Sequence, residues 1–355
     1  MDSLSGEELE RYSRQIVLKD IGYDGQLKLR KGKVCIVGLG GLGCTIAVQL
    51  TAMGVGFLRL VDRDVVECSN LHRQHLYDVD SLGYPKVEIA VKKLGKLNPD
   101  VKLEPVPSSL NVNNAEEILD GVDIVVDGLD RIGPRYVINR ACIELGIPYV
   151  FGAAIAVYGN LSTIIPGKTP CLQCFFPNLE NESLPTCGTV GIHPSLLGII
   201  SSLEVSEAIR ILIGKTPHLA GKLLYCDLYS LDFRKISIAR SEDCPVCSAK
   251  EPRLMEQKII EEVCGRGGKR VFVITPTRNL ELDMEELYRY LNRKNFTVKV
   301  KAKLGVTFDY SEAIVVSMLK SGVAILEGVN EEKEALETYK KILAEGLSMP
   351  SNKIL

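Results

Sequence analysis

Residues Lys33–Arg73 constrain the fold of this chain more than any other stretch. An apolar run, Val34–Val37, leads directly into the glycine-rich sequence GLGGLG at residues 38–43. A helical pattern follows, and then a second apolar run, Phe57–Val61, that ends at Asp62. Glycines at this spacing allow a tight turn whose backbone N–H groups approach a phosphate, and an acid after the second strand can hold a ribose hydroxyl. The stretch therefore predicts a strand–turn–helix–strand unit that binds a nucleotide.

A polar segment after Asp62 argues against a dinucleotide, although most sequences with this glycine pattern bind NAD or FAD. Asp64 is followed by the sequence SNLHRQ at residues 69–74, and Lys86 lies further on. A triphosphate under attack needs fixed cations, because negative charge builds up on the leaving pyrophosphate. The alternative interpretation is a solvated surface loop, since charged loops commonly bind nothing.

Composition limits the classes of partner. A net charge of −2 with 25% charged residues gives no electrostatic reason to expect nucleic acid or a membrane as the main partner. The N-terminal residues are polar and mixed in charge, unlike a signal peptide, and the longest apolar stretch, Leu196–Ile213, is interrupted by Glu204, Glu207 and Arg210. We therefore expect a cytoplasmic protein. Eleven cysteines in such a chain indicate thiol or metal chemistry rather than disulfides.

Helical and strand patterns alternate after the nucleotide unit. Helices are predicted over residues 86–97, 115–119 and 135–145, with strands over 101–106, 122–126 and 149–153 and antiparallel strands added over 154–167. This alternation predicts a mostly parallel sheet, with ligands at the carboxyl ends of its strands. At that edge, Asp127 and Asp130 follow a buried strand. One of them could hold Mg²⁺, or the pair simply ends the strand and caps the next helix.

Two CxxC pairs are the strongest metal signal. Cys171 with Cys174, and Cys244 with Cys247, supply four thiolates in the pattern of a structural Zn²⁺ site. A redox CxxC motif is the alternative, but such a motif usually opens a helix in a βαβ unit, which neither pair does. The zinc would pin a loosely patterned region, residues 171–250, to the main sheet.

Cys187 stands apart from these pairs in a loop rich in Gly, Pro, Ser and Thr. A thiol in such a loop, close to a helix N-terminus, can be a thiolate nucleophile. The alternative is an ordinary surface cysteine. The residue type and position alone do not decide between the two.

The pattern restarts beyond Cys247. Residues 250–268 are predicted to be a linker that leads into a charged helix, and residues 269–355 a small α+β domain. Strands are predicted over 270–274 and 323–327, a strand or hairpin over 296–308, and helices from Asp283, over 312–320 and over 331–344. The alternating Lys299, Lys301 and Lys303 indicate a strand with a solvated lysine face, and the alternative is a docking face for an acidic partner or an RNA.

Together these motifs resemble those of the HesA/MoeB/ThiF family, adenylating domains related to the ubiquitin-activating enzymes. The resemblance covers about residues 7–249. It rests on RYSRQ (11–15), GLGGLG (38–43), SNLHRQ (69–74), G-x-PK (83–86), the acid at 130, GAA…G (152–159), PCLQC (170–174), TC (186–187) and CPVC (244–247), all in family order. The C-terminal residues resemble no family.

The resemblance implies a fold and a reaction. The fold is α/β: residues 1–249 form an ATP-binding adenylation domain with a Rossmann-like mostly parallel sheet, added antiparallel strands and a zinc-pinned region, and the small C-terminal α+β domain follows. Such enzymes bind MgATP and adenylate the C-terminal Gly-Gly carboxylate of a ubiquitin-like or sulfur-carrier β-grasp protein. Arg14 would reach the site of the other subunit of a homodimer. A sulfurtransferase or conjugating enzyme would act downstream, and Cys187 would carry a thioester or persulfide in some members.

The site residues that the resemblance implies fall into three sets. Catalytic roles fall to Arg14, Arg73, Lys86, Asp130 and Cys187. Nucleotide contacts fall to Gly38, Gly40, Gly41, Gly43, Asp62, Asp64, Ser69, Asn70, Arg73, Gln74, Lys86, Asp130 and Arg131. Zinc ligation falls to Cys171, Cys174, Cys244 and Cys247. The chain departs from the family pattern at Arg131, where a small polar residue is usual, at Asn160, where Gln is common, and in lacking a rhodanese domain.

Two other functions remain alternatives. A non-catalytic module that binds a β-grasp protein would share the fold, but it would not need the retained charged residues. An NAD-dependent oxidoreductase would use the glycine turn and Asp62, but it would leave Arg73, Lys86 and the cysteine pairs without a role.

Overall fold

The computed structural model describes residues 3–177, 179–180, 184, 187–248, 258–266, 268–350 and 354. It contains an eight-stranded sheet and a six-stranded sheet. We call residues 3–248, which form the first sheet, the N-terminal region, and residues 258–350, which form the second, the C-terminal region. Within the described residues, no helix is both long and apolar enough to span a membrane.

The N-terminal region alternates helices and strands as predicted. Its strands are β1 (Lys33–Val37), β2 (Phe57–Val61), β3 (Lys102–Val106), β4 (Ile124–Asp127), β5 (Tyr149–Ile155), β6 (Tyr158–Ile164), β7 (Lys222–Asp227) and β8 (Asp232–Ser237). Its helices are α1 (Gly6–Arg11), α2 (Ser13–Ile16), α3 (Gly22–Lys31), α4 (Gly41–Ala52), α5 (Lys86–Leu97), α6 (Ala115–Leu119), α7 (Ile132–Leu145), α8 (Leu172–Phe175), α9 (Cys187–Val190) and α10 (Pro194–Leu212).

The first sheet has the order β3-β2-β1-β4-β5-β6-β7-β8. The first five strands run parallel, and β6, β7 and β8 continue the sheet antiparallel. Helices α4, α5 and α10 cover one face, and α6 and α7 cover the other. Apolar, β-branched strands such as β4 are buried because both faces are covered. The predicted mostly parallel sheet with added antiparallel strands is confirmed.

The C-terminal region is an antiparallel sheet with helices on one face. Its strands are β9 (Ile260–Arg266), β10 (Lys269–Ile274), β11 (Thr297–Lys301), β12 (Gly305–Asp309), β13 (Val315–Leu319) and β14 (Ala324–Glu327), and its helices are α11 (Met284–Arg293) and α12 (Glu332–Leu347). The strand order is β11-β12-β13-β14-β10-β9. Helix α11 begins after Asp283, whose carboxylate accepts hydrogen bonds from the N–H groups of Glu285 and Glu286, both at 3.0 Å.

Two predictions in this part of the chain are wrong. Residues 312–320 were predicted to be a helix, but Val315–Leu319 is strand β13 in the middle of the sheet. A short apolar run fits a buried strand and a buried helix equally well, so its periodicity could not decide. The charged helix predicted before residue 265 is instead the edge strand β9, which pairs with β10. The second sheet thus begins inside the segment predicted to be a linker.

Candidate functional site

The glycine turn joins β1 to the start of α4. Gly38 has φ +92°, and a Cβ built on it would lie 2.6 Å from the carbonyl oxygen of Gly128. A Cβ on Gly43 would lie only 1.8 Å from the carbonyl oxygen of Gly38. Only glycine fits either position, because backbone from three segments meets there. Gly40 precedes α4 and Gly41 begins it, so the N-terminus of the helix stands at the carboxyl ends of β1 and β4, where phosphates bind in such folds.

Asp62 holds the turn in place. One carboxylate oxygen accepts a hydrogen bond from the N–H of Leu39 at 2.6 Å, and the other accepts from the N–H of Asp64 at 2.7 Å. Burial raises the pKa of Asp62 above its usual range, and the positive charge of Lys86 opposes that rise. Each oxygen keeps a second lone pair that can accept a ligand hydroxyl. This geometry is compatible with the predicted ribose contact.

Lys86 is a fixed cation at the start of α5. Its side chain is 5% exposed, and its Nζ lies 3.0 Å from a carboxylate oxygen of Asp64. Burial alone would lower the pKa of Lys86, but the carboxylates of Asp64 and Asp62 outweigh it, so the net effect is a raised pKa. The ammonium group therefore stays charged beside the glycine turn, where it can neutralise phosphate charge.

The polar segment predicted to contact the triphosphate folds back over the turn. Asn70 accepts a hydrogen bond from the N–H of Glu67 at 3.2 Å, and Arg73 donates from Nη1 to the carbonyl oxygen of Ser69 at 2.7 Å. Gln74 is 3% exposed. Its Oε1 has no hydrogen-bond partner among the described residues, and its amide nitrogen lies 3.9 Å from the place of a Cβ on Gly40. A buried carbonyl oxygen without a partner at this point fits a polar ligand such as a nucleotide.

The two acids after β4 have different environments. Asp127 is fully buried and accepts hydrogen bonds from Nε of Arg135 at 2.9 Å and from the hydroxyl of Tyr149 at 2.6 Å. Burial raises the pKa of Asp127, and the charge of Arg135 opposes that rise. Asp130 is exposed. Asp127 therefore stabilises the end of the strand, and Asp130 is the acid of the pair that a cation from solvent can reach.

Arg131, a predicted nucleotide contact, forms an ion pair with the C-terminal region. Its Nη1 lies 3.2 Å from a carboxylate oxygen of Glu261 on β9, and Nη2 of Arg63 lies 3.0 Å from the same oxygen. Arg63, Arg135 and Glu261 were not among the site residues predicted from the sequence. Arg63 had one available signal, its position between the two acids that follow β2. Glu261 had none.

Arg14 is placed away from this site. It lies on α2, and the neighbouring Gln15 donates to the carbonyl oxygen of Met53, at the C-terminal end of α4. Helix α4 has 12 residues, so its two ends are about 18 Å apart at ~1.5 Å per residue. Arg14 therefore does not meet the glycine turn of its own chain.

The four predicted zinc ligands lie together. The Sγ atoms of Cys171, Cys174, Cys244 and Cys247 all lie within 4.8 Å of one another. Cys171 and Cys244 are 3.5 Å apart, and Cys174 and Cys247 are 3.3 Å apart. Four sulfurs about 2.3 Å from a central Zn²⁺ would be separated by about 3.8 Å in tetrahedral geometry. The cluster has the ligand type and spacing that Zn²⁺ requires.

Cys187 begins the short helix α9. Its side chain lies outside the described part of the structure, so the prediction of a nucleophile is not tested here.

A cavity of about 1010 Å³ lies beside the glycine turn rather than within it. Helices α4 and α10 and strands β7 and β8 form its walls, and Arg73 and His75 line one end. Asp62, Asp64, Asp127 and Asp130 are not among its lining residues, although Glu207 of α10 is. The predicted nucleotide contacts Asp62, Lys86 and Asp130 lie instead beside the carboxyl ends of the strands, whereas Arg73 lines the cavity.

Comparison with known proteins identifies the relatives. The ThiF family matches residues 12–246. A sulfur carrier protein adenylyltransferase of Thermus thermophilus is 40% identical over 265 residues, which cover 73% of this chain and 97% of that protein. A SAMP-activating enzyme E1 of Haloferax volcanii is 39% identical, over 69% of this chain and 91% of that protein. The adenylyltransferase and sulfurtransferase MOCS3 of Aedes aegypti is 38% identical, over 74% of this chain and 61% of that protein.

Solved structures agree on the fold. Escherichia coli MccB, in a crystal structure with MccA-N7isoASN, matches with a TM-score of 0.62 at 23% identity, over 70% of this chain and 76% of that chain. The ThiF match over residues 12–246 includes the glycine turn, the polar segment and Cys171, Cys174 and Cys244, and it ends one residue before Cys247. The chain belongs to the ThiF family.

Proposed function

We propose that this chain is an ATP-dependent adenylyltransferase that activates the C-terminal carboxylate of a ubiquitin-like sulfur-carrier protein. The family and its adenylyltransferase relatives support the reaction class. The observation that carries the proposal is the buried, charged Lys86, which is paired with Asp64. It lies beside the glycine turn, and Asp62 holds the backbone of that turn by accepting hydrogen bonds from the N–H groups of Leu39 and Asp64. A dinucleotide oxidoreductase would not need that buried cation.

The reaction has one bond-making and one bond-breaking step at phosphorus. A carboxylate oxygen of the carrier attacks the α-phosphate of ATP, the bond to the β-phosphate oxygen breaks, and pyrophosphate leaves with the bonding electrons. Negative charge then grows on the leaving group. Lys86 and Arg73 would stabilise that charge, while Asn70 and Gln74 would hold the phosphates in line. Asp62 and the amides at Gly38, Gly40, Gly41 and Gly43 would position the ribose and the phosphates.

Asp130 would hold Mg²⁺, which in phosphate sites neutralises charge and orients the phosphates. The exposed carboxylate at the strand end supports this assignment. Asp64 and Ser69 would act through their neighbours, because Asp64 pairs with Lys86 and Ser69 accepts from Arg73. The four cysteines would bind a structural Zn²⁺ that joins α8 to residues 244–247.

A homodimer would complete the site. Arg14 is exposed and stands at the far end of α4 from its own glycine turn. A guanidinium placed there can reach a triphosphate only if it belongs to a second copy of the chain. Substituting Arg14 should therefore reduce activity, and mixing that variant with an Arg73 variant should restore part of it through heterodimers.

The first experiment is ATP–pyrophosphate exchange with each candidate carrier that ends in Gly-Gly. Exchange that depends on one carrier supports adenylation and identifies the substrate. ATP binding without exchange by any carrier would contradict the proposal and favour a non-catalytic binding module.

Cys187 decides the step after adenylation. Cys187→Ala should leave exchange unchanged, because the thiol acts only after the acyl-adenylate has formed. If Cys187 forms a thioester or persulfide, the substitution should remove the thiol-sensitive complex with the carrier that precedes a sulfurtransferase or conjugating enzyme. Persistence of that complex in the variant would exclude Cys187 from the mechanism. Cys68→Ala, a change at an exposed cysteine, is the matched control.

A further inference from the structure

The C-terminal region rests on the loops that carry the nucleotide site. The hydroxyl of Thr307 donates to the carbonyl oxygen of Gly83 at 2.8 Å, and the hydroxyl of Ser321 donates to that of Pro107 at 2.6 Å. The carboxylate of Glu88 accepts hydrogen bonds from the N–H groups of Lys303 and Leu304 at 3.1 and 2.8 Å. Gly83 and Glu88 flank Lys86 in the chain. The contact therefore reaches both sides of the fixed cation.

Apolar packing accompanies these hydrogen bonds. The face of the second sheet opposite its helices carries Val271, Val273, Leu319, Val323 and Ile325, and this cluster closes over Val65 of the N-terminal region. Val65 lies one residue after Asp64. The buried contact at Val65 therefore joins the second sheet to the loop that carries Asp64.

Glu261 is a charged residue on this same face. In the antiparallel pair of β9 and β10, Glu261 lies opposite Val273 and Glu262 lies opposite Phe272. Directly opposed residues share a face, and consecutive residues alternate between faces. Glu261 therefore points toward the N-terminal region. Glu262 lies on the helix-covered face and pairs with Arg270 of its own sheet at 2.7 Å.

The Glu261 carboxylate joins two segments of the nucleotide edge. Its side chain is 29% exposed, and one oxygen accepts from Arg63, between Asp62 and Asp64, and from Arg131, next to Asp130. Two guanidinium groups this close repel each other unless a carboxylate lies between them. Burial lowers the pKa of Arg63, but the charges of Glu261, Asp64 and Asp130 together raise it, so Asp64 and Asp130 are within electrostatic reach of Arg63 once Glu261 is gone. An arginine that moved onto either acid would disturb the partner of Lys86 or the predicted cation ligand.

We propose that Glu261 is a positioning residue of the adenylation site, supplied by the C-terminal region, that holds Arg63 and Arg131 in place and keeps them away from Asp64 and Asp130. This inference rests on the proposed function for its effect on ATP, but not for its effect on the two loops. The region outside the ThiF match is then part of the working site rather than an appended module.

The test compares Glu261→Gln with Glu262→Gln in the full chain. Both variants remove one negative charge from the same strand, but only the first removes it from the face that meets the arginines. We expect Glu261→Gln to speed amide hydrogen exchange in segments 62–65 and 129–132 by about tenfold, since local opening becomes easier. We also expect KM for ATP to rise about fivefold with kcat within about twofold, because ground-state positioning is lost. Glu262→Gln should change neither measurement.

A conservative variant and a double variant separate positioning from simple loss of structure. Glu261→Asp keeps the negative charge and should retain most of the protection against amide hydrogen exchange in segments 62–65 and 129–132. In an Arg131→Gln background, Glu261→Gln should change amide hydrogen exchange and KM for ATP less than it does in the wild-type chain. One of the two arginines through which Glu261 acts is then already gone. The proposal would be overturned if Glu261→Gln left amide hydrogen exchange in segments 62–65 and 129–132 unchanged. It would also be overturned if Glu262→Gln changed hydrogen exchange and KM for ATP as much as Glu261→Gln does. If no carrier supports exchange of pyrophosphate, the proposed function fails, while the hydrogen-exchange result still decides the role of Glu261.

Discussion

In the N-terminal region, the described residues bury charged side chains at several points, whereas the described part of the C-terminal region buries hydroxyl groups and apolar side chains. The buried charged residues of the first set are Asp62, Lys86, Asp127, Arg135, Glu204 and Glu207. The buried polar residues of the second set are Thr275, Thr307, Ser317, Ser321 and Thr338. Both regions have an apolar core on at least one sheet face. The described residues of the two regions therefore differ in whether the buried polar groups are ionisable or neutral.

Buried charge destabilises a fold unless other groups compensate it. In the N-terminal region the compensation is visible at Asp127, with Arg135 and Tyr149, and at Glu207, whose oxygens accept from Thr163, His218 and Leu219. A chain retains such arrangements where chemistry needs fixed charges. The C-terminal region is built for packing, and it affects chemistry through a partly exposed carboxylate at its edge.

The largest expected effect lies in the chemistry of the first region. Arg73→Ala should reduce ATP–pyrophosphate exchange by about 100-fold or more, because a fixed cation is lost beside the leaving group. Thermal stability should stay unchanged, since within the described part of the chain the guanidinium of Arg73 hydrogen-bonds only to the nearby Ser69 carbonyl. Arg234→Ala, on the exposed strand β8, is the control. Retained exchange in Arg73→Ala would contradict the triphosphate assignment.

Loss of the cysteine cluster should have the next largest effect. Cys171→Ser removes a thiolate ligand, so bound zinc should disappear and the free energy of unfolding should fall by about 3–5 kcal/mol. Metal content by mass spectrometry and denaturant unfolding measure the two outcomes. Cys142→Ser, at a buried cysteine outside the cluster, should keep the metal. A metal-free wild-type protein of full stability would refute the zinc prediction.

Glu204 is a buried carboxyl without a hydrogen-bond partner among the described residues, and it should make the stability of the fold depend on pH. Its carboxyl lies against Gly152, where a Cβ would come within 2.3 Å of it, and neither oxygen has a hydrogen-bond partner among the described residues. Burial raises the pKa of Glu204 well above its usual value; Asp127 adds to the rise and Arg135 opposes it. The folded chain therefore keeps a proton that the unfolded chain releases above about pH 4.3, so stability falls as the pH rises.

The variant Glu204→Gln removes that proton linkage. It should stabilise the fold by about 2 kcal/mol near pH 8, with the difference shrinking toward about pH 4. Glu207→Gln, one turn along the same helix, should destabilise instead, because its carboxylate accepts three hydrogen bonds. Equilibrium unfolding at several pH values measures both. A gain from Glu204→Gln that stays constant with pH would show that Glu204 is not protonated in the fold.

The smallest effect is expected in the contact of the second region. Ser321→Ala removes a neutral hydroxyl that donates to the Pro107 carbonyl and accepts from the N–H of Val323, and it should lower the free energy of unfolding by about 1 kcal/mol. The change should be independent of pH, in contrast to that of Glu204. Ser311→Ala, in a turn of the second sheet, is the control for losing a serine hydroxyl. If the effect of Ser321→Ala on the free energy of unfolding depended on pH, the contrast between ionisable buried groups in the N-terminal region and neutral ones in the C-terminal region would not hold.

The sequence predicted the first region well because its signals are local. The glycine turn, Asp62, the helix that begins at Lys86 and the two cysteine pairs each follow from residues close together in the chain. The structure adds long-range contacts that no spacing records. Glu204 was interpreted only as an interruption of an apolar stretch, although it lies against Gly152 on another element. Strand β13 was mistaken for a helix, because burial on both faces removes the alternation that marks a strand.

Because the Glu261 carboxylate is shared by two arginines, the C-terminal region can form this contact only with an N-terminal region that carries both arginines. The alignment with the Thermus thermophilus protein covers nearly all of that protein but leaves about a quarter of this chain unmatched, so homologous enzymes exist in which the matched part is almost the whole molecule. A chimera that carries residues 258–350 onto such a recipient would reproduce the contact only if arginines stand at the positions equivalent to 63 and 131. Because the contact needs Glu261 on the transferred region and both arginines on the recipient, all three residues have to be present together for the contact to form.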